Sequence, residues 1–252
     1  MITKKTVEEI NLIHAGGKII HRVLMTVAEA VRPGISTWEL NELAERLISE
    51  GGGIPSFKGY GNPPYPAALC TSVNSEVVHG IPSCEVVLKE GDIISLDIGM
   101  RYPAIGGLYT DTAVTVGVGK ISSEAKRLID ATRRSLDIII ENLRPGEDWQ
   151  NVAGLAQRFI ESQGFSVIRD LVGHGVGHGV HEDPQLPNYV IKNYHLRLEE
   201  GMVLAFEPMV VAGDYDVITK DDDWTVATLD NSLSAHFEHT VAITKYGCEV
   251  LT

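Results

Sequence analysis

The chain has 252 residues, and its 34 acidic and 21 basic side chains give a formal net charge of −13 at pH 7. This acidic balance argues against nucleic acid as the main partner, because binding phosphates requires a basic surface. Hydrophobic residues make up 44% of the chain, which argues against disorder. No apolar run reaches the roughly 18 residues of a membrane span. We therefore expect one folded domain over residues 1–252 and no membrane partner.

Cysteine usage and the N-terminal sequence indicate the compartment. Cys70, Cys84 and Cys248 have no regular spacing, and an odd number of cysteines does not suggest a disulfide framework. Residues 1–17 contain no apolar stretch that is typical of a signal peptide. We expect reduced thiols and a cytoplasmic location.

Two amphipathic patterns predict a first pair of helices. The first helix begins after Thr6 and extends to Val31, and Thr6 and Glu9 have the spacing of a capping box. The second helix begins at Ser36 and ends at the three glycines of residues 51–53. Extended segments follow over residues 68–73, 93–99 and 112–118.

A second pair of helices repeats this order. One helix begins at Ser122 or Ser123 and extends through Leu143, and the next begins at Asp148 and extends through Glu161. Strands are then predicted over residues 166–170, 202–211, 225–227 and 236–244. Two helices followed by strands, twice, indicate a duplicated helix–sheet unit in one α+β domain whose strands share a sheet.

Two aspartates occupy apolar strands. In the 93–99 segment, alternation separates Asp97 from the aliphatic row that includes Leu96. Asp111 immediately precedes the 112–118 segment, and alternation again places it opposite the aliphatic row of Val114 and Val116. Folding the two strands antiparallel about Ala104 brings Asp97 and Asp111 side by side.

Two glutamates also lie within apolar strand segments, and these segments contain no lysine or arginine. Glu238 lies opposite an aliphatic row, and Glu207 sits in the apolar segment 203–209. A buried carboxylate costs several kcal/mol unless it is paired. Two divalent cations would neutralise four carboxylates, and oxygen ligands with an occasional imidazole suit Mn²⁺, Fe²⁺, Co²⁺ or Zn²⁺.

An imidazole ligand is expected from the histidine-rich segment 173–184. On a helix, His174, His178 and His181 would form a three-histidine zinc face. The glycines at every second position oppose a helix, so we predict a loop or strand there. By its residues alone, His79 is more typical of a turn next to Gly80 than of a functional site.

These segments together resemble the type I methionine aminopeptidases. The resemblance covers essentially the whole chain, and the matching segments are residues 70–74, 79–82, 96–99, 109–113, 173–177, 181–184, 206–208, 224–225, 232–235 and 238–240. It implies the pita-bread fold, in which a pseudo-twofold pair of helix–strand halves surrounds a curved antiparallel sheet. It also implies removal of the N-terminal methionine from nascent proteins and peptides.

The resemblance implies which residues bind each of two metal ions. Asp97 is expected to chelate the first ion, and Asp111 and Glu238 to bridge both. His174 and Glu207 complete the second ion's ligands.

The resemblance also implies roles around the metals. His79 and His181 are expected to contact substrate and to stabilise the oxyanion. Glu207 is the candidate proton carrier, on the expectation that an apolar strand raises its pKa. A methionine pocket is expected from Tyr65, Cys70, Trp224 and Phe206.

Three features depart from the family pattern. The connection between Asp97 and Asp111 is a few residues longer than is usual. His178 occupies a position where a basic residue is expected, and Val180 a position often filled by an aromatic side chain. None of these changes removes an expected metal ligand.

Two other functions compete with this interpretation. A proline-specific aminopeptidase or dipeptidase shares the fold, but such relatives usually carry a large extra N-terminal domain for which 252 residues leave no room. A non-catalytic binding module would normally have lost metal ligands. The expected partners are the N-termini of nascent polypeptides, with a transient ribosome contact, and the expected state is a monomer.

Overall fold

The computed structural model describes residues 2–252, and this range contains four α-helices and fifteen strands. The helices are α1 (Val7–Ala30), α2 (Thr37–Glu50), α3 (Ser123–Asn142) and α4 (Trp149–Ser162). The strands are β1 (Ile54–Pro55), β2 (Leu69–Val73), β3 (Glu76–Val78), β4 (Ile93–Tyr102), β5 (Leu108–Gly117), β6 (Ser166–Val167), β7 (Val172–Gly175), β8 (Glu182–Pro187), β9 (Val203–Phe206), β10 (Met209–Val211), β11 (Val217–Thr219), β12 (Val226–Thr228), β13 (Ser234–His236), β14 (Glu238–Thr244) and β15 (Gly247–Val250). None of the four helices in this range combines the length and the hydrophobicity that crossing a bilayer requires.

The predicted helix boundaries are confirmed, because capping side chains fix them. The backbone N–H of Glu9 donates to Oγ1 of Thr6, and the backbone N–H of Thr6 donates to Oε2 of Glu9. Ser36 and Glu39 form the same reciprocal pair at the start of α2. Each pair satisfies two backbone donors that a helix would otherwise leave free.

Antiparallel pairing joins nine strands into one large sheet. Its main path runs β1-β4-β5-β14-β9-β7-β8, while β2 pairs with β4 and β15 pairs with β14. Two three-stranded sheets, β13-β10-β6 and β11-β12-β3, extend from it. The large sheet is curved, as the pita-bread expectation requires.

Each helix pair covers its own half of the large sheet. In the first half, α1 and α2 pack on β4 through a cluster that includes Leu24, Leu40 and Leu96. In the second half, α3 and α4 pack on β9 and β14 through a cluster that includes Trp149 and Val241. The acids predicted on the opposite face of these strands are therefore left facing away from both clusters. This arrangement confirms the α+β, pseudo-twofold architecture.

Two predicted strands are each interrupted, one in its middle and one near its start. The 202–211 segment is divided at Glu207 and Pro208 into β9 and β10, and the 236–244 segment is divided at Phe237 into β13 and β14. In both cases the first and second parts belong to different sheets. Pro208 has no N–H to donate, so the ladder is interrupted at that point. The two breaks lie beside each other, because β10 pairs with β13 and β9 pairs with β14.

The hairpin between β4 and β5 differs from the prediction in register. Asp111 pairs with Gly99, and Asp97 pairs with Ala113. The strands therefore fold about Ile105 and not about Ala104, which shifts the register by two residues. A two-residue shift keeps every side chain on its face, so Asp97 and Asp111 still share one face as diagonal neighbours.

Strand β8 was not predicted, because Pro184 and Pro187 argue against a strand. It is an edge strand that pairs only with β7, and prolines are tolerated at such an edge. The segment before it follows the prediction for residues 173–179, since β7 is a strand and a loop connects it to β8.

A buried ion pair ties the N-terminal segment to the loop that carries His181. Nζ of Lys5 lies 2.5 Å from Oε2 of Glu182, and the two side chains are 1% and 12% exposed. Oε1 of Glu182 accepts a hydrogen bond from the backbone N–H of Gly179. Burial would raise the pKa of Glu182, but hydrogen bonds from Lys5 and Thr3 lower it to about 2.

We predict that Glu182→Gln lowers the free energy of unfolding of the metal-free protein by about 2 kcal/mol at pH 7, because it leaves the Lys5 ammonium buried without its counter-ion. The folded-state pKa of Glu182 lies below its ordinary value of 4.5, so the stabilisation is present above that pH and lost as the pH falls toward about 2. Urea unfolding at several pH values measures both effects.

The matched control is Glu199→Gln, which breaks a second ion pair of the same segment. Lys4 and Glu199 are 54% and 49% exposed, so water screens this pair and its loss should matter much less. Equal urea midpoints for the two variants at pH 7 would show that the buried pair has no special role.

Candidate metal centre and active site

Strand register brings side chains of the predicted site into one row across the sheet. Cys70 of β2 pairs with Asp97 of β4, Asp97 pairs with Ala113 of β5, and Ala113 pairs with Glu238 of β14. Asp111 stands two residues along β5 on the same face. The residues are far apart in the chain, and the antiparallel ladders alone place them together.

His174 and Glu207 close the row at its far end. Nε2 of His174 lies 3.3 Å from Oε1 of Glu207 and 3.7 Å from Oδ2 of Asp111. Ligand atoms of Asp111, His174 and Glu238 all lie within 4.8 Å of one another. Asp97 and Glu207 line the same cavity, whose volume is about 240 Å³. All five expected metal ligands therefore converge on one space.

The buried carboxylates repel one another, and burial makes each of them harder to ionise. Burial is the main cause that raises the pKa of Asp97 to about 7 and that of Asp111 to about 6, and Glu207 repels both. Burial, with repulsion by Asp111, also raises the pKa of Glu238. The protein without a cation thus holds these acids partly protonated.

Glu207 is the exception, and the expected raised pKa is wrong. Burial would raise the pKa of Glu207, but the neighbouring imidazoles of His174 and His236 lower it to about 2. Burial opposes a charge on His174, yet Glu207 and Asp111 raise the pKa of His174 to about 9. The apolar sequence around Glu207 gave no sign of these two partners, which come from other strands.

The chemistry of this donor set fits divalent cations. Oδ1 of Asp97 is buried and has no hydrogen-bond partner within residues 2–252. Among the described residues, no lysine or arginine lines the cavity, and the charged His174 must lose its proton before it can bind a metal, so the acids lack a lasting protein counter-charge. Carboxylate oxygens with one imidazole are ligands that Mn²⁺, Fe²⁺, Co²⁺ and Zn²⁺ accept.

The two outer histidines lie at the same cavity. His79 follows β3 in the left-handed backbone region, with φ of 60°, and burial lowers its pKa. The rings of His181 and His174 are 4.4 Å apart. Partial burial, with repulsion by His174, lowers the pKa of His181 to about 4. Both outer histidines are therefore neutral at pH 7 and able to donate a hydrogen bond.

An aromatic and sulfur-containing wall forms the other side of the cavity. Tyr65, Cys70 and Trp224 line it as predicted, together with Phe57. The rings of Tyr65 and Trp224 meet edge to face at 5.2 Å. The expectation for Phe206 is wrong, because its side chain points to the opposite face of β9 and packs on Trp149, 5.1 Å away between ring centroids.

The positions that depart from the family pattern lie outside the cavity lining. Nε2 of His178 is 2.7 Å from Oε1 of Glu9 in the first turn of α1, so this histidine contacts the helix and not the metal ligands. Val180 packs against Phe57, Tyr65 and Cys70, which do line the cavity. Val180 can therefore affect the shape of the pocket through these lining residues without lining the pocket itself. His174 lies in strand β7, which confirms the prediction of a loop or strand there and excludes a helical three-histidine zinc face.

Sequence reasoning missed Tyr60 and His236. The hydroxyl of Tyr60 lies 2.7 Å from Nδ1 of His181, and no sequence signal in its glycine-rich loop indicates this contact. His236 lies 3.4 Å from Glu207 and is 1% exposed. It precedes Glu238 by two residues, so strand alternation could have placed both on the same face.

We predict that binding of Mn²⁺ to the metal-free protein releases protons at pH 6. Asp97, with its pKa raised to about 7, is largely protonated at this pH, and His174, with its pKa raised to about 9, is charged. Cations bind only the deprotonated forms, so the affinity should rise with pH. Isothermal titration calorimetry in two buffers that titrate near pH 6 and differ in ionisation enthalpy, such as MES and ACES, measures the release, and heats that do not depend on the buffer would contradict it.

Known proteins place this site in a family. Residues 11–245 match the model of metallopeptidase family M24. The chain is 46% identical over 252 residues to methionine aminopeptidase 1 of Bacillus subtilis, covering 100% of this chain and 99% of that protein. The crystal structure of a methionine aminopeptidase from Thermotoga maritima is 45% identical, with a TM-score of 0.95 and coverage of 100% and 99%.

A prolidase from Pyrococcus horikoshii shares the fold alone. It is 23% identical with a TM-score of 0.78, and the match covers 99% of this chain but 63% of the prolidase. The full-length matches therefore decide between the two enzyme groups. The chain belongs to metallopeptidase family M24 and, within it, to the methionine aminopeptidases, which are metal-dependent exopeptidases.

Proposed function

We propose that the chain removes the N-terminal methionine from polypeptides with two divalent cations held by Asp97, Asp111, His174, Glu207 and Glu238. The observation that carries this proposal is the convergence of four carboxylates and one histidine on a cavity that no lysine or arginine of the described residues lines. Two divalent cations match the charge of the four ionised carboxylates, whereas one leaves two acids unbalanced.

The geometry supports a role for each ligand. His174 and Glu207 lie together at one end of the group, and Asp97 lies at the other end of the cross-strand row. Asp111 and Glu238 stand between them, within reach of His174. We therefore assign Asp97 to one cation, His174 and Glu207 to the other, and the two central acids to both.

The cations, when bound, supply an activated water and polarise the peptide carbonyl. The protein residues carry the proton and orient the substrate. Glu207 is ionised, so its carboxylate can accept a proton from the attacking water and pass it to the departing amine. His181 and His79 are neutral and donate hydrogen bonds to the oxyanion. Tyr60 holds Nδ1 of His181, which fixes the direction of the other ring nitrogen.

The cavity supports exopeptidase action on methionine. Phe57, Tyr65, Cys70 and Trp224 give it a soft apolar wall that suits an unbranched thioether side chain. Burial raises the pKa of the Cys70 thiol, so this wall stays uncharged at pH 7. The acids at the other wall attract the free α-amino group. Side chain and amine together limit the substrate to one residue before the bond that is cut.

The partners follow from this reaction. We propose that the substrates are the N-termini of nascent polypeptides and that the enzyme works in the cytoplasm, where translation takes place. All five candidate ligands come from one chain, which supports a monomer and a single catalytic unit over residues 1–252. A transient contact with the ribosome is part of the same proposal.

Turnover of short peptides tests the proposal. We expect hydrolysis of Met-Ala-Ser, loss of activity after dialysis against a chelator, and recovery on addition of Mn²⁺, Fe²⁺, Co²⁺ or Zn²⁺. The metal that restores the highest activity identifies the preferred cation. Activity that survives chelation, or faster release from Ala-Pro peptides than from Met-Ala-Ser, would reject the proposal.

We predict that Val180→Phe changes KM for methionyl peptides more than kcat. A larger side chain at this position would press on Phe57, Tyr65 and Cys70 and reshape the wall that holds methionine, without touching a metal ligand. Val190→Phe, at a position that is 51% exposed, is the control for a bulky substitution. Steady-state kinetics on Met-Ala-Ser that show no change in KM would contradict the role of Val180.

A further inference from the structure

His236 is a buried imidazole with neither ring nitrogen hydrogen-bonded within residues 2–252. The residue is 1% exposed, so bulk solvent does not supply the missing partners. A buried polar group without a partner costs about 1–3 kcal/mol, so such a group in a folded protein calls for an explanation. The metal ligands and the methionine pocket do not account for it.

The polar atom that faces Nε2 of His236 belongs to Glu207. Nε2 of His236 lies 3.4 Å from Oε2 of Glu207, slightly beyond the ordinary range for a hydrogen bond. The other oxygen of Glu207, Oε1, faces Nε2 of His174. The carboxylate therefore lies between two imidazoles, one on each oxygen. His174 takes the side of the proposed cation, and His236 takes the opposite side.

The backbone of His236 is held firmly enough to direct its ring. Its N–H donates to Oγ1 of Thr115, and that hydroxyl donates to the carbonyl oxygen of His236, each at 2.8 Å. The same hydroxyl contacts Oγ of Ser95. On the other side, β13 pairs His236 with Met209, the residue after Pro208. His236, the last residue of β13, and Glu207, in the break between β9 and β10, thus lie at the two neighbouring breaks where the chain passes between sheets.

From this geometry we infer that His236 is a positioning residue, whose Nε2–H donates to Oε2 of Glu207 and holds the carboxylate with Oε1 toward the cation. The inference rests on the proposed role of Glu207 as a metal ligand. Carboxylates that bind metals are commonly fixed by a hydrogen bond on the free oxygen, and losing that partner typically weakens metal affinity by about 10- to 100-fold. His236 itself contacts neither metal nor substrate in this assignment.

The test compares Mn²⁺ binding by calorimetry in the chelated full chain and its variants. His236→Phe keeps a ring but removes both nitrogens, and it should raise the dissociation constant of one Mn²⁺ site by about 10- to 100-fold. His236→Gln keeps an N–H donor of similar reach and should restore affinity close to that of the wild type. His21→Phe, at an exposed position on α1, is the control for histidine replacement and should bind as the wild type does.

Three further comparisons keep the inference open to refutation. Circular dichroism and the thermal midpoint of each metal-free variant show whether it folds, and His236→Leu replaces His236→Phe if the larger ring does not. Unchanged affinity in both donor-free variants overturns the inference, and so do equal losses in the phenylalanine and glutamine variants. Glu207→Gln tests the underlying proposal separately, since unaltered Mn²⁺ binding in that variant would reject Glu207 as a ligand whatever His236 does.

Discussion

The mutual repulsion of buried carboxylates is the physical constraint on which the proposed metal site depends. Asp97, Asp111 and Glu238 share a cavity in which burial raises the pKa of each, and no lysine or arginine of the described residues lines that cavity. Holding three ionised acids there without a cation costs several kcal/mol. Without a cation the folded protein keeps these acids partly protonated, and cation binding displaces the protons. Metal dependence is in this sense a property of the fold and not an addition to it.

The sheet supplies the geometry that this arrangement needs. One face of the large sheet is covered by the helix pairs, so the acids can only face the other side. Two neighbouring strands then break at Pro208 and Phe237 and pass into a smaller sheet. These breaks set Glu207, His236 and Glu238 at a corner, where side chains from both sheets meet.

Hydrophobic alternation and capping signals were sufficient to predict the helices, the faces of the strands and the pairing of Asp97 with Asp111 on one face. The complete set of metal ligands was expected from the resemblance to the methionine aminopeptidases. The exact hairpin register of Asp97 and Asp111 was not predictable, because it depends on the turn and not on the alternation. The pKa of Glu207 was misjudged for a related reason: its direction is set by two histidines distant in sequence, which the surrounding apolar residues do not reveal. Tyr60 reaches His181 from a loop, and loops carry no periodic signal. The local sequence pattern predicts which face of a strand or helix a residue occupies, whereas the residues that it contacts depend on the tertiary fold.

Anomalous diffraction from a crystal grown with Mn²⁺ tests the central claim most directly. The account predicts two Mn²⁺ peaks in the cavity, one contacted by Asp97 and the other by His174 and Glu207, with Asp111 and Glu238 between them. Data that show no peak among these side chains, or Mn²⁺ held by other residues while the acids surround an empty cavity, would contradict it.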